Sequence, residues 1–323
     1  ALPNLSCVEE VRGRLSVSMD GLTSVTGLSG LLRVEGDLDL DDLDTVTDFS
    51  GFDQLIEVGG NLDISSAEAI TLNGFASLRR VFGSLEVSNA DKLKHVTGFG
   101  SLAYAGSVSI TYNEFLESIT GFGALSAVGG DLIVHINDET TDISGILGGL
   151  ETVNGDLLLS PERYKLGSVL ITSLGFQGLR EVGGDLEISE FKGITNLAGL
   201  EKLTEVGGTL RISSADALVD ISALSSLTRV GGIDIYDAPI TSVTAFSNVT
   251  GVVTEDIDLS WTDVTSLDGF QGITEVQGRI DLDWQDRFTS SIGLEGLTRV
   301  GGSFVGLSAF PEFESLSKLT FVG

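Results

Sequence analysis

The sequence predicts an all-β fold, a parallel β-solenoid. Three observations carry that expectation. A strand-like motif, V-x-G-x-L-x-I, recurs along the whole chain. Apolar residues between its copies step by three. Glycine is abundant, with 42 residues, while proline is rare, with 4. The motif reads Val34-Glu35-Gly36-Asp37-Leu38-Asp39-Leu40 and returns at Val58 to Ile64. Clear copies begin at Val81, Val128, Val153, Val182, Val206, Val276 and Val300, and weaker ones at Val11, Tyr104, Val230 and Val253. Its apolar-polar alternation is the two-residue period of a strand. Val34, Gly36, Leu38 and Leu40 share one face, and Glu35, Asp37 and Asp39 share the other. A glycine among the inward residues predicts a place where the backbone crowds its neighbour.

The segment after each strand has a different rhythm. Leu116, Ile119, Phe122, Leu125 and Val128 step by three, as do Val264, Leu267, Phe270, Ile273 and Val276. An amphipathic α-helix drifts off this spacing within two turns, whereas short 3₁₀-like pieces and turns keep it. No helix longer than about two turns is expected. Glycine beside the aromatic residue, as in Gly98-Phe99, Gly121-Phe122 and Gly269-Phe270, suits a turn-rich backbone.

Most copies are about 23 or 24 positions apart, and the step from Val153 to Val182 is 29. One coil cannot bury its own inner face, so stacked coils must share a core. About thirteen coils at ~4.8 Å each would span about 60 Å. Residues 1–323 therefore read as one continuous array, with 1–10 as the entry or cap. Val322-Gly323 opens a further copy, so the array is expected to continue beyond it or to be covered by another molecule.

The run Leu-x-x-Val-x-Gly-x-Leu-x-Ile, followed by Ile-Thr-x-Leu-x-Gly-Leu/Phe-x-x-Leu, resembles receptor L-domain repeats. These are relatives of leucine-rich repeats in growth-factor receptor ectodomains and in secreted microbial and protist proteins. Leu179 to Leu203 shows the likeness well. The resemblance covers nearly the whole chain. It implies a right-handed solenoid and an extracellular or cell-surface setting, and it implies no chemistry. The chain departs from receptor domains in lacking paired capping cysteines and in having more repeats. Both departures fit a longer adhesive or structural protein.

Charge narrows the partners. The net charge is −29, with 47 acidic and 18 basic residues. Phosphate neutralisation needs Lys and Arg, so nucleic acid is disfavoured, as are anionic membranes. No apolar run reaches membrane-spanning length. The only cysteine, Cys7, excludes an internal disulfide framework and reads either as a buried or idle thiol or as a bridge to a partner outside this segment. His95 and His135 lie in different repeats and in no nucleophile or metal motif. The chain reads as a non-enzyme that requires no cofactor.

Several residues stand out against this background. Asp39, Asp63 and Glu86 occupy one outward position in successive coils, and Asp234, Asp258 and Asp281 repeat the pattern later. Stacked like charges repel, so these columns read either as a solvated acidic face or as a cation ladder, with Ca²⁺ as the candidate ion. Glu187, Arg211 and Asp234 alternate in sign. Trp261 and Trp284 each fall two residues after a strand's last apolar residue, Tyr112 holds the same place, and Tyr236 sits one residue sooner. Such rings either stack on a sugar or protein partner or fold back over the core. The long loop Ser160 to Gly167 carries Arg163 and Tyr164 and is a second candidate contact. Asn4 and Asn248 begin glycosylation triplets. Thr23, Thr172, Thr195, Thr241 and Thr265 form a threonine column broken by Lys94, Glu117 and Val219.

Three functions compete on this evidence. The leading one is an extracellular structural or adhesive repeat protein, a filament or surface-layer component that self-associates. The second is an ectodomain that binds a glycan or protein. An ice-binding solenoid is a minor third.

Overall fold

A computed structural model describes residues 2–19, 21–43, 45–67, 69–161, 171–284, 287–290, 292–306 and 316–323. It forms two compact units, Ala1–Leu170 with Gly175–Gln177, and Ile171–Leu174 with Gly178–Gly323. Each is a parallel β-solenoid, as the repeat predicts, and the longest α-helix among the described residues is the single turn Ser144–Leu147.

In the first unit two parallel ladders run side by side. One joins the valine positions: Glu10–Val11 pairs with Arg33–Val34, which pairs with Glu57–Val58, which pairs with the start of Arg80–Ser88. The other joins the leucine and isoleucine positions, through Leu15–Val17, Leu38–Leu40, Leu62–Ser65, the end of Arg80–Ser88, Tyr104–Thr111, Leu132–Ile136 and Leu157–Pro161. Val34, Leu38 and Leu40 are fully buried, as are Val58, Leu62, Val81, Leu85 and Val87, which is why the register is fixed: a one-residue slip would turn every such side chain outward. The second unit repeats the plan through Leu186–Ser189, Glu205–Ser213, Arg229–Tyr236, Ile257–Asp258, Ile280–Asp281 and Phe304–Val305.

One motif start must be moved. Tyr104 matches the valine position only when the copy is aligned on Gly106. The strand instead pairs Ala105 with Val81 and Val128, and the register shifts between Ala105 and Ser107. This coil lacks one residue between its valine position and its glycine. Ala105 is fully buried while Tyr104 is half-exposed.

The step-of-three segment closes the coils with short turns, which are 3₁₀ at Thr26–Leu28, Ser50–Phe52, Ser222–Ser226 and Thr244–Phe246. A polar residue two positions earlier accepts a backbone hydrogen bond at the turn. Ser50 donates to Asp48 at 2.9 Å, Ser144 to Asp142 at 2.8 Å and Ser222 to Asp220 at 2.8 Å. The phenylalanines of the step-of-three segments form a column. Phe52, Phe75, Phe99 and Phe122 are fully buried, with successive ring centroids 5.3, 5.2 and 5.0 Å apart. Offset aromatic stacking adds about 0.5–1.5 kcal/mol per pair to the burial itself.

The glycines serve close approach more than turning. A Cβ on Gly98 would lie 2.0 Å from the Gly74 carbonyl oxygen. In the strand motif the residue after glycine is as important. Asp37 accepts from the Asn61 N–H at 2.9 Å, Asn61 from Ser84 at 2.9 Å, Asp131 from Asp156 at 2.9 Å, Asp185 from Thr209 at 2.8 Å and Asp256 from Arg279 at 2.7 Å. Each side chain reaches across one coil step into space left by the next glycine. A Cβ on Gly60, Gly83, Gly155, Gly208 or Gly278 would stand 2.1 Å from that oxygen. Glycine and aspartate in V-x-G-D are therefore one device, in which the missing side chain of one coil admits the carboxylate of the coil before.

Candidate binding surface

In most coils the chain turns sharply two residues after the last inward residue of the strand. That residue has positive φ in coil after coil: Asp42 52°, Ser66 51°, Asn89 54°, Tyr112 57°, Ser214 51°, Asp237 54°, Trp261 57° and Trp284 61°. Asn and Asp tolerate this left-handed conformation, while other L residues lose about 1–2 kcal/mol there. Polar residues fill it in most coils. Trp261 and Trp284 do not, and they are not folded back over the core. They are 57% and 66% exposed, with ring centroids 4.8 Å apart and planes within 16°. Tyr236, at 39% exposure, stands one residue before this position in the preceding coil.

Two open grooves share Trp261 and Asp237. One is lined by Asp234, Tyr236, Asp258 and Ser260, the other by Asp216, Asp263 and Trp284. In the first unit Tyr112 is also exposed, and its ring meets His135 edge-on at 5.6 Å. Burial lowers the His135 pKa, and its Nδ1 is buried with no hydrogen-bond partner among the described residues.

Strand pairing places Asp39, Asp63 and Glu86 in one column, and Glu187, Arg211, Asp234, Asp258 and Asp281 in another. Arginines meet the carboxylates. Arg14 bonds Asp39, Arg211 bonds Asp234 at 2.8 Å and reaches Glu187 at 3.5 Å, and Arg279 lies within 3.4 Å of Asp256, Asp258 and Asp281. Burial, with Glu86 second, raises the Asp63 pKa, and its Oδ1 is buried without a hydrogen-bond partner among the described residues. Burial also raises the Asp234 pKa, outweighing its bond to Arg211. Among the described residues no group of three or more His, Cys, Asp or Glu is placed to hold a metal ion.

A further charged column was not singled out from the sequence. Glu10, Arg33, Glu57 and Arg80 alternate in sign beside the valine ladder, with Arg33 and Glu57 3.4 Å apart. Its signal is the residue just before each motif valine. Cys7 is exposed and free, so the buried-thiol reading fails. Asn248 is exposed and donates from Nδ2 to the Ser225 carbonyl at 2.8 Å, and Asn4 is exposed with its Oδ1 taking the Ser6 N–H at 3.0 Å. The threonine column is interrupted by the Lys94–Glu117 ion pair at 2.6 Å and by exposed Val219. Arg163 and Tyr164 lie outside the described residues. No described helix is long and apolar enough to cross a membrane.

No family model matches the chain, and no curated protein matches it. Among solved structures it is similar to an internalin from Listeria monocytogenes, at 13% identity and a TM-score of 0.38, over 98% of this chain and 87% of that one. It is also similar to the receptor in a TLR13–ssRNA13 complex, at 14% identity and a TM-score of 0.25, over 98% of this chain and 58% of that one. Likeness at this level speaks to neither ligand nor location. The class of protein is set by the coils themselves, a parallel β-solenoid.

Proposed function

We propose that the chain is a non-catalytic, extracellular binding or adhesive repeat protein whose contact surface is the aromatic corner at Tyr236, Trp261 and Trp284. One observation carries this reading: two stacked, exposed indoles occupy a left-handed position that suits Asn or Asp. The fold gains little from them there. Stacking contributes about 0.5–1.5 kcal/mol, against about 1–2 kcal/mol of backbone cost for each ring. Large amphipathic rings exposed in pairs are the residue type that dominates contact energies at interfaces.

The test is a panel of immobilised cell-surface proteins and glycans, probed with the chain and with the double variant Trp261→Asn/Trp284→Asn. The reading expects at least one panel member to bind the native chain and to lose most of that binding in the variant. A variant that keeps all native binding would overturn it. Asparagine suits the backbone at both positions, so a matching melting curve separates lost contact from lost fold.

A further inference from the structure

We propose that the two grooves beside Trp261 receive arginine side chains of a protein partner, with indole and phenol faces against the guanidinium planes and Asp237 as the counter-charge. This deepens, and rests on, the reading that the aromatic corner is the contact surface.

Charge selects the occupant. The chain carries a net charge of −29, and both grooves mix aromatic walls with carboxylates. Most of those carboxylates are already engaged. Asp234 holds Arg211 at 2.8 Å, and Asp258 accepts from Ser260 and Arg279. Asp263 holds Arg287 at 3.1 Å, while Asp216 lies 3.9 Å from Lys192. Asp237 differs. It is exposed, it lines both grooves, and no hydrogen bond or ion pair to its carboxylate occurs among the described residues.

The rings supply the remaining half. Stacking engages one face of each indole, and the rings remain 57% and 66% exposed. A cation over an aromatic face is attracted by the ring quadrupole, most strongly over Trp, and the planar guanidinium also stacks where an ammonium cannot. A neutral sugar could use the faces but would gain nothing from the charge. An anionic partner would be repelled.

Trp261 and Trp284 are the only tryptophans in the chain, so intrinsic fluorescence reports this corner alone. The experiment titrates the full chain, at physiological ionic strength, with a short capped peptide carrying two arginines. The same peptide with lysines, with glutamates, and a neutral oligosaccharide serve as comparisons. The proposal expects a saturable change with arginine, weaker binding with lysine, and none with glutamate. Asp237→Asn should weaken arginine binding about five- to tenfold. Trp261→Asn should do the same when read by calorimetry, with melting curves confirming the fold. Arginine binding unchanged in both variants would place it elsewhere on the acidic surface and overturn the proposal. A response to the oligosaccharide with none to arginine would also overturn it, yet would leave the contact-surface reading standing. No response to any probe would overturn it too, and the panel experiment would then decide the broader reading separately.

Discussion

Gly208→Ala gives the sharpest test of how one coil locks onto the next. The new Cβ would stand 2.1 Å from Asp185 Oδ1, and 3.0 and 3.1 Å from the Gly184 carbonyl carbon and the Asp185 nitrogen. The carboxylate must leave, and the Thr209 N–H loses an acceptor at 2.8 Å in a residue that is only 6% exposed. A buried hydrogen bond to a charged group is worth about 1.5–3 kcal/mol. The residual backbone crowding adds about 1–3 kcal/mol. The single variant should therefore lose about 2.5–6 kcal/mol, and Asp185→Ala alone about 1.5–3 kcal/mol. In the double variant the hydrogen bond can be lost only once. The two changes should then fall short of additivity by about 1.5–3 kcal/mol. Urea unfolding followed by tryptophan fluorescence reads this directly, because both tryptophans lie in the same unit as Gly208. Additivity within about 0.5 kcal/mol would refute the idea that the glycine exists to admit the carboxylate.

Other perturbations follow from the same contacts. Phe99→Ala removes the centre of the stacked column and should cost about 3–5 kcal/mol by circular dichroism; if the coils form one cooperative array, as the repeat suggests, the tryptophan transition in the second unit should shift too, and an unmoved transition would sink that view. Asp63→Asn should stabilise at neutral pH: the folded-state pKa is raised, so protonated Asp63 favours the fold below the unfolded carboxylate pKa, and that stability is lost as pH rises through the raised value. The gain from asparagine should vanish in acid, and a constant gain across pH would count against the desolvated carboxylate. Salt should raise the melting temperature by screening the Asp39–Asp63–Glu86 column; calcium at matched ionic strength tests the cation ladder, which requires an added shift that Asp63→Asn abolishes.

The fold was legible because two periods coexist in each repeat. Alternation from Val34 to Leu40 fixes a strand and its inward face, and the step of three from Leu116 to Val128 excludes a long helix. What alternation alone could not show was the role of Asp37. Its polarity marks it as outward-facing, yet its oxygen bonds the coil that follows, 24 positions on. Only the pairing of each aspartate with the next coil's glycine reveals this, and that relation is non-local. Tyr104 failed for a related reason: glycine is a weak anchor for register when one residue is missing, and burial of Ala105 decides the pairing.

The candidate surface was legible in its columns and hidden in its conformation. Counting from each strand put Trp261 and Trp284 at one loop position, but the count cannot tell a ring that covers the core from one that faces water. The backbone angle makes the difference. At a φ near 60° the side chain leaves the turn away from the strand's inward row, which Leu259 and Leu282 already fill. The same geometry explains why the acidic columns are weaker candidates than their charge suggests. Strand register delivers Arg211 and Arg279 to the carboxylates beside them, so that face is largely satisfied by the protein itself. Asp237 sits at the left-handed turn rather than on the strand, and no ion pair to it occurs among the described residues. A carboxylate that is exposed and has no partner among the described residues, next to indoles held where the fold gains little from them, is the feature that an outside partner would complete.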